Sequence, residues 1–126
     1  ARWLFVEVKP LPAAALGERL EELAALLAAR ATRTRFLSSS LPVLGTLECE
    51  LPGVARSWVF DTLPEWLPRG VELSPKHTLV EELVGQGYPL HPWTVNHTAR
   101  LRSLARLGVA SLTTNQPDLA LEVLGG

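Results

Sequence analysis

Methionine is absent from the chain, and cysteine occurs once, at Cys49. Neither charge sign dominates: twelve basic residues stand against thirteen acidic ones, for a formal net charge of -1. Each shortage excludes something. A single cysteine closes no intramolecular disulfide and provides no CxxC pair for zinc or redox chemistry. Balanced charge without a Lys/Arg cluster argues against nucleic acid and anionic membrane surfaces as partners. The longest aliphatic stretch, Leu23–Ala29, falls far short of the ~20 residues that span a bilayer, so no membrane span is expected. The opening Ala-Arg-Trp-Leu-Phe-Val-Glu-Val-Lys has too short an apolar run for a signal peptide, which leaves a cytoplasmic location as the expectation. Lacking even an initiator methionine, the chain is expected to be a processed product or an excised piece. Phosphate loops of the GxGxxG or GxxxxGK kind are missing, as is the Gly-x-Ser-x-Gly elbow of a serine hydrolase.

What is present is 126 residues, 47% of them hydrophobic, enough for one core without disulfide or metal. Residues 1–126 are read as one unit. Strand-like and helical patterns alternate along it, the mark of α/β construction on parallel strands. Trp3–Lys9 reads as a strand whose residues Phe5, Glu7 and Lys9 share one face at period two. Pro10 and Pro12 end it, and Leu16, Leu20, Leu23 and Leu27 then recur at helical spacing within Ala13–Arg30. Further strands are predicted at Arg33–Ser39, Arg56–Asp61, Val71–Leu73, Tyr88–Val95 and Val109–Thr113. Helices are predicted at Pro42–Glu50, from Thr78 as a capping box with Glu81, at Thr98–Leu107 with Gly108 as its stop, and from Pro117 to Leu124.

In α/β folds ligands sit where strands end. The strand ends here deliver Glu7 and Lys9; Ser38, Ser39 and Ser40; Asp61; Ser74, Lys76 and His77; Trp93, Thr94 and Asn96; and Thr113, Thr114 and Asn115. Glu7 and Lys9 on one strand face admit two readings. One is an ion pair, structural or solvated at the open end. The other is a carboxylate for a hard cation beside an ammonium for an anionic oxygen, the needs of phosphoryl chemistry. Trp93 fits core filling or a pocket wall. His77 and His91 lack metal-ligand spacing, and the serine run suits a strand-end turn better than a nucleophile.

Val6-Glu7-Val8-Lys9, Ser38-Ser39, Trp93-Thr94-Val95-Asn96 and Gly108-Val109 followed by Thr114-Asn115-Gln116-Pro117 stand in an order that resembles the C-terminal half of the glycerophosphodiester phosphodiesterase family. The resemblance runs from about Trp3 to Leu124. It implies a (β/α)8 TIM-type barrel of which only the C-terminal half or slightly more is present. The implied activity is hydrolysis of a small-molecule glycerophosphodiester to glycerol 3-phosphate and an alcohol, dependent on a divalent cation, calcium or magnesium. By the same resemblance Glu7 is a metal ligand, Lys9 faces the phosphate and Trp93 lines the substrate pocket. The family's His-Arg and His-Asp motifs, which carry acid/base work, and its Glu-x-Asp strand are absent from this sequence. Ser40 stands where an aromatic is usual, and Asn115, which is expected to cap the following helix, stands where Asp is usual. Two alternatives stay open: a non-catalytic half-barrel that self-associates or pairs with a missing N-terminal half, and a Schiff-base lyase using Lys9.

Overall fold

The computed structural model describes residues 4–30 and 33–125. The chain forms two compact units, residues 1–59 and 60–126. The first is built from β1 (Leu4–Glu7), α1 (Ala13–Arg30), β2 (Thr34–Ser38), α2 (Leu41–Glu50) and β3 (Ala55–Phe60). Trp3, the predicted start of the first strand, lies outside the described residues.

Strands β1, β2 and β3 pair in parallel, with Val6 opposite Phe36 and Phe36 opposite Arg56. Parallel neighbours must be joined by a crossover rather than a hairpin, and α1 and α2 supply the two crossovers. Side chains alternate across the pleat, so Val6, Val8 and Phe36 share the helix-facing side. There they meet Leu16, Leu20, Leu23 and Leu27 of α1 and Val43 and Leu47 of α2, with Phe36 fully buried. The leucine periodicity therefore marks the buried stripe of α1. The opposite face carries Phe5, Glu7 and Leu37, and the Arg35 guanidinium lies 5.7 Å from the centre of the Phe5 ring, a cation–π contact between register partners.

Helix α2 begins one residue before its predicted start because Ser40 caps it. The Ser40 hydroxyl accepts the Val43 N–H at 3.2 Å, and Pro42 sits in the first turn, where its missing N–H costs nothing. The serine that replaces the family's usual aromatic is thus a helix cap. Ser38 does related work, its hydroxyl accepting the Ser40 N–H at 3.1 Å.

The second unit holds β4 (Glu72–Pro75), a 3-10 turn (His77–Leu79), α3 (Val80–Leu83), α4 (Thr98–Arg106) and α5 (Pro117–Val123). Leu73 pairs in parallel with Leu90, and Lys76 with Trp93. Segment 109–113 joins the other side of 90–95 through Ala110 N–H to the Leu90 carbonyl at 2.8 Å and Val95 N–H to the Thr113 carbonyl at 2.8 Å. The predicted strands Tyr88–Val95 and Val109–Thr113 lie in this ladder without forming continuous strands. Pro89 and Pro92 have no N–H to donate, so pairing along 88–95 is interrupted.

Two cap expectations are corrected. The Thr78–Glu81 box does not form: a 3-10 turn precedes α3, neither element has a side-chain cap, and Glu81 reaches Arg100 instead. Asn115 does not cap α5, whose N-cap is Gln116 without a side-chain bond. The glycine stop after α4 does hold, since Gly108 takes φ 81, a backbone shape that glycine adopts without strain.

Replacing Ser40 by alanine is predicted to destabilise the protein by ~1 kcal/mol, while Ser40→Asp retains the cap. Urea midpoints of the two variants check this; equal midpoints for Ser40→Ala and the parent would refute the capping role.

Candidate functional site

In the first unit Glu7 closes β1, and Lys9 follows two residues later on the same side. The Lys9 ammonium donates to the Glu7 carboxylate at 3.0 Å, and the two side chains are 75% and 48% exposed. Prolines at 10 and 12 turn the chain directly after the pair, so both charges reach solvent and neither pays for desolvation. The pair borders a shallow cleft of about 270 Å³ whose other wall includes Leu11 and, from α1, Arg19, Glu22 and Leu23. Arg19 in turn pairs with Glu22 at 3.1 Å. A Schiff-base lysine is activated by desolvation or by a neighbouring cation. Lys9 is open to water and faces a carboxylate, the opposite setting.

In the second unit Trp93 is half-buried at the end of its segment. Its indole N–H donates to the Ser74 carbonyl at 2.7 Å, which fixes the ring plane against β4. Asn96, three residues on, accepts through Oδ1 from the Thr114 hydroxyl at 3.1 Å and from the Asn115 N–H at 2.9 Å. The Trp-Thr-Val-Asn tetrapeptide therefore anchors one side chain on β4 and another on the last loop.

Two clusters were not read from the sequence. His91, 3% exposed, sits between Glu72 and Ser111, with Nε2 2.6 Å from the Glu72 carboxylate and Nδ1 2.6 Å from the Ser111 hydroxyl. The ring thus bridges the Glu72 carboxylate and the Ser111 hydroxyl, one nitrogen facing each. The available signal was alternation: Glu72 and Ser74 fall on the face of their strand that His91 and Trp93 occupy on theirs. The second cluster centres on Arg100. Its guanidinium forks onto both Glu81 oxygens, one at 2.9 Å, and reaches His77 through the carbonyl and, at 3.1 Å, through Nδ1. The hydrogen bonds from Arg100 hold the Glu81 carboxyl down to about 2. Burial, reinforced by the nearby Arg100 and Lys76 charges, lowers His77 below its ordinary value, so the imidazole is neutral at pH 7. Glu81 raises Arg100 in return.

With this geometry in place, comparison with solved structures is decisive for the fold. A protein assigned as a glycerophosphoryl diester phosphodiesterase from Silicibacter pomeroyi superposes with a TM-score of 0.84 at 25% identity, over 97% of this chain and 50% of that one. The chain has the fold of glycerophosphodiester phosphodiesterases. A glycerophosphodiester phosphodiesterase from Parabacteroides distasonis matches with a TM-score of 0.80 at 18% identity, over 98% of this chain and 57% of that one. An Oleispira antarctica phosphodiesterase, solved in complex with the product sn-glycerol-3-phosphate, matches with a TM-score of 0.75 at 18% identity, over 98% and 56%. The chain thus spans about half the length of the phosphodiesterase structures it matches. No family model matches the sequence, and no curated protein does. No helix among the described residues is long and apolar enough to cross a membrane.

Because Glu81 has its folded value depressed from 4.5 to about 2, its contribution to stability is full above about pH 4.5 and is lost as pH falls toward 2. The carboxylate is 53% exposed, so solvent screening keeps that contribution small. Glu81→Gln is expected to flatten the loss of stability between pH 4.5 and 2, read as thermal midpoints across that window. An unchanged slope would remove the fork from the account.

Proposed function

We propose that this chain is the C-terminal half or slightly more of a (β/α)8 phosphodiesterase barrel that hydrolyses glycerophosphodiesters to glycerol 3-phosphate and an alcohol, a step of lipid and glycerol metabolism. What carries the reading is the superposition on phosphodiesterases over 97% of the chain, together with motifs that lie at strand ends in each unit. The product complex of the Oleispira antarctica relative supports a small-molecule phosphate ester as ligand.

Each residue has chemistry suited to its proposed role. Lys9, on its exposed stem, supplies a mobile positive charge for a phosphoryl oxygen. Trp93, with its N–H already satisfied, offers a flat apolar wall to glycerol carbons. Glu7 is proposed as one ligand of the divalent cation, calcium or magnesium, which would withdraw charge from the phosphoryl group. The residues present do not complete such a site. Calcium takes about six to eight oxygens, whereas no group of three or more His, Cys, Asp or Glu gathers among the described residues. The remaining ligands, like the acid/base histidines absent from this sequence, belong to the other half of the barrel.

The chain alone is therefore expected to be nearly inactive, since positioned proton transfer is worth ~100-fold or more in rate. Assayed on glycerophosphodiesters with calcium or magnesium, it is predicted to show no turnover above background. It is predicted to bind sn-glycerol 3-phosphate weakly and saturably, with Lys9→Ala cutting affinity ~10-fold or more, as loss of a hydrogen bond to a charged group does. Robust turnover would refute the location of the acid/base groups, and unchanged affinity in Lys9→Ala would refute the role of Lys9.

One observation favours a second reading, a non-catalytic assembly module. Among the described residues β1 pairs with β2 alone, which leaves a parallel edge open to a second copy or to a missing N-terminal half. Light scattering that shows a stable monomer would count against it.

A further inference from the structure

Between β3 and β4 the chain passes through 61–71 without helix or strand. Pro64 and Pro68 disfavour both, since each fixes its own φ and lacks the N–H that a helix or ladder would use. This loop faces 82–88 across a cleft of about 280 Å³. Leu63, Glu65 and Trp66 line the cleft from the loop, and Glu82, Leu83 and Tyr88 line it from the segment that begins in α3. The Tyr88 hydroxyl donates to the Pro68 carbonyl at 2.9 Å, a bond between the two segments that holds the phenol in place. Trp66 is 63% exposed and Leu63 42%, so an indole whose burial would be favourable is left open to solvent.

The charge in this cleft is of one sign. No lysine, arginine or histidine lines it. Among the described residues neither Glu65 nor Glu82 forms an ion pair, and both are exposed. Arg100, the cation that reaches the preceding residue, has its fork on Glu81. Gln86 lines the cleft as well, and its amide N–H donates to the Glu82 carbonyl at 3.0 Å, which turns the amide into a fixed group with an oxygen acceptor. Glu7, Lys9 and Trp93 are not among the lining residues.

We infer that the cleft between 63–67 and 82–88 binds a small quaternary ammonium ion of the choline type. Glu65 and Glu82 supply the counter-charge, and the Trp66 and Tyr88 rings offer the electron-rich faces that attract a cation. Leu63 and Leu83 suit N-methyl groups, which make no hydrogen bonds. A primary ammonium gains less from such walls, because it is strongly hydrated and has three donors to satisfy. Size narrows the ligand further. Pockets for small molecules run ~300–1,000 Å³, so a cleft of about 280 Å³ holds one cationic group rather than a folded or extended peptide.

The test is an NMR titration of the whole chain with choline, with ethanolamine, and with the uncharged alcohol in which a tert-butyl group replaces the trimethylammonium of choline. The Trp66 indole N–H, assigned with Trp66→Phe, reports in wild type, and the Gln86 and Tyr88 backbone N–H signals report in every variant. Choline is expected to shift all three saturably and to bind about five- to tenfold tighter than the uncharged analogue, the advantage of a cation beside two rings and two exposed carboxylates. Ethanolamine should bind more weakly than choline. Trp66→Leu keeps an apolar wall without the ring, and Glu65→Gln combined with Glu82→Gln keeps the shape without the charge. Each should reduce the preference for choline while leaving the analogue's affinity unchanged, which also shows that the cleft survives the substitution. Equal binding of choline and the analogue in wild type would make the cleft an apolar crevice and overturn the cation site. No shift with choline, or a preference for choline that persists in both variants, would overturn it as well, and ethanolamine binding as tightly as choline would overturn the quaternary class.

Discussion

Parallel pairing is the constraint on which the rest depends. Strands that run the same way cannot be joined by a tight turn, so each needs a crossover long enough to return the chain to its starting level. In the first unit this makes α1 and α2 obligatory, and their apolar stripes close the core over Phe36. It also aligns the strand ends of that unit. Glu7 ends β1 and Ser38 ends β2, each followed by residues that must turn away from the sheet. Polar side chains collect there because the backbone leaves the ladder at that point and needs partners for its donors. Ser38 and Ser40 satisfy backbone N–H groups, whereas Glu7 and Lys9 bond to one another.

The second unit meets the same constraint with a handicap. Pro89 and Pro92 deprive one segment of its ladder of two donors, within the stretch that holds Trp93. Side chains replace what the backbone gives up. His91 links Glu72 to Ser111, and the Trp93 indole N–H bonds to Ser74, so the segment is tied to β4 and to 109–113 by groups that specify its position. A hydrogen bond between buried partners in a poorly solvated setting is costly to leave unmade, which makes such ties selective for one arrangement. Interruption of the strand and rigidity of its tryptophan are thus compatible.

What could be read from residues alone followed the range of the interaction. The α1 stripe at Leu16, Leu20, Leu23 and Leu27 and the turn at Gly108 depend on neighbours a few positions away, and both appear where expected. The Thr78–Glu81 box also obeyed a local rule, yet it failed because Arg100, nineteen residues beyond Glu81, offers a charged fork that a backbone N–H does not match. Asn115 was matched to the wrong partner for the same reason: its N–H is taken by Asn96 and its side chain does not reach α5. His91 lies between Leu90 and Pro92 in sequence, a context that looks apolar, and its partners come from segments nineteen and twenty residues away. Ladder register brings those groups together, and register is set by the whole sheet.

The exposure of the Glu7–Lys9 pair limits what the two charges do by themselves. Charges at a working site gain strength when water is excluded, because the effective dielectric falls. In this chain the pair is solvated, and an exposed ion pair contributes little to stability. Fold stability therefore gives little reason to favour two charges over neutral residues at this strand end. Among the described residues β1 has no strand on its other side. A surface that excluded water from Glu7 and Lys9 would strengthen the field of both charges.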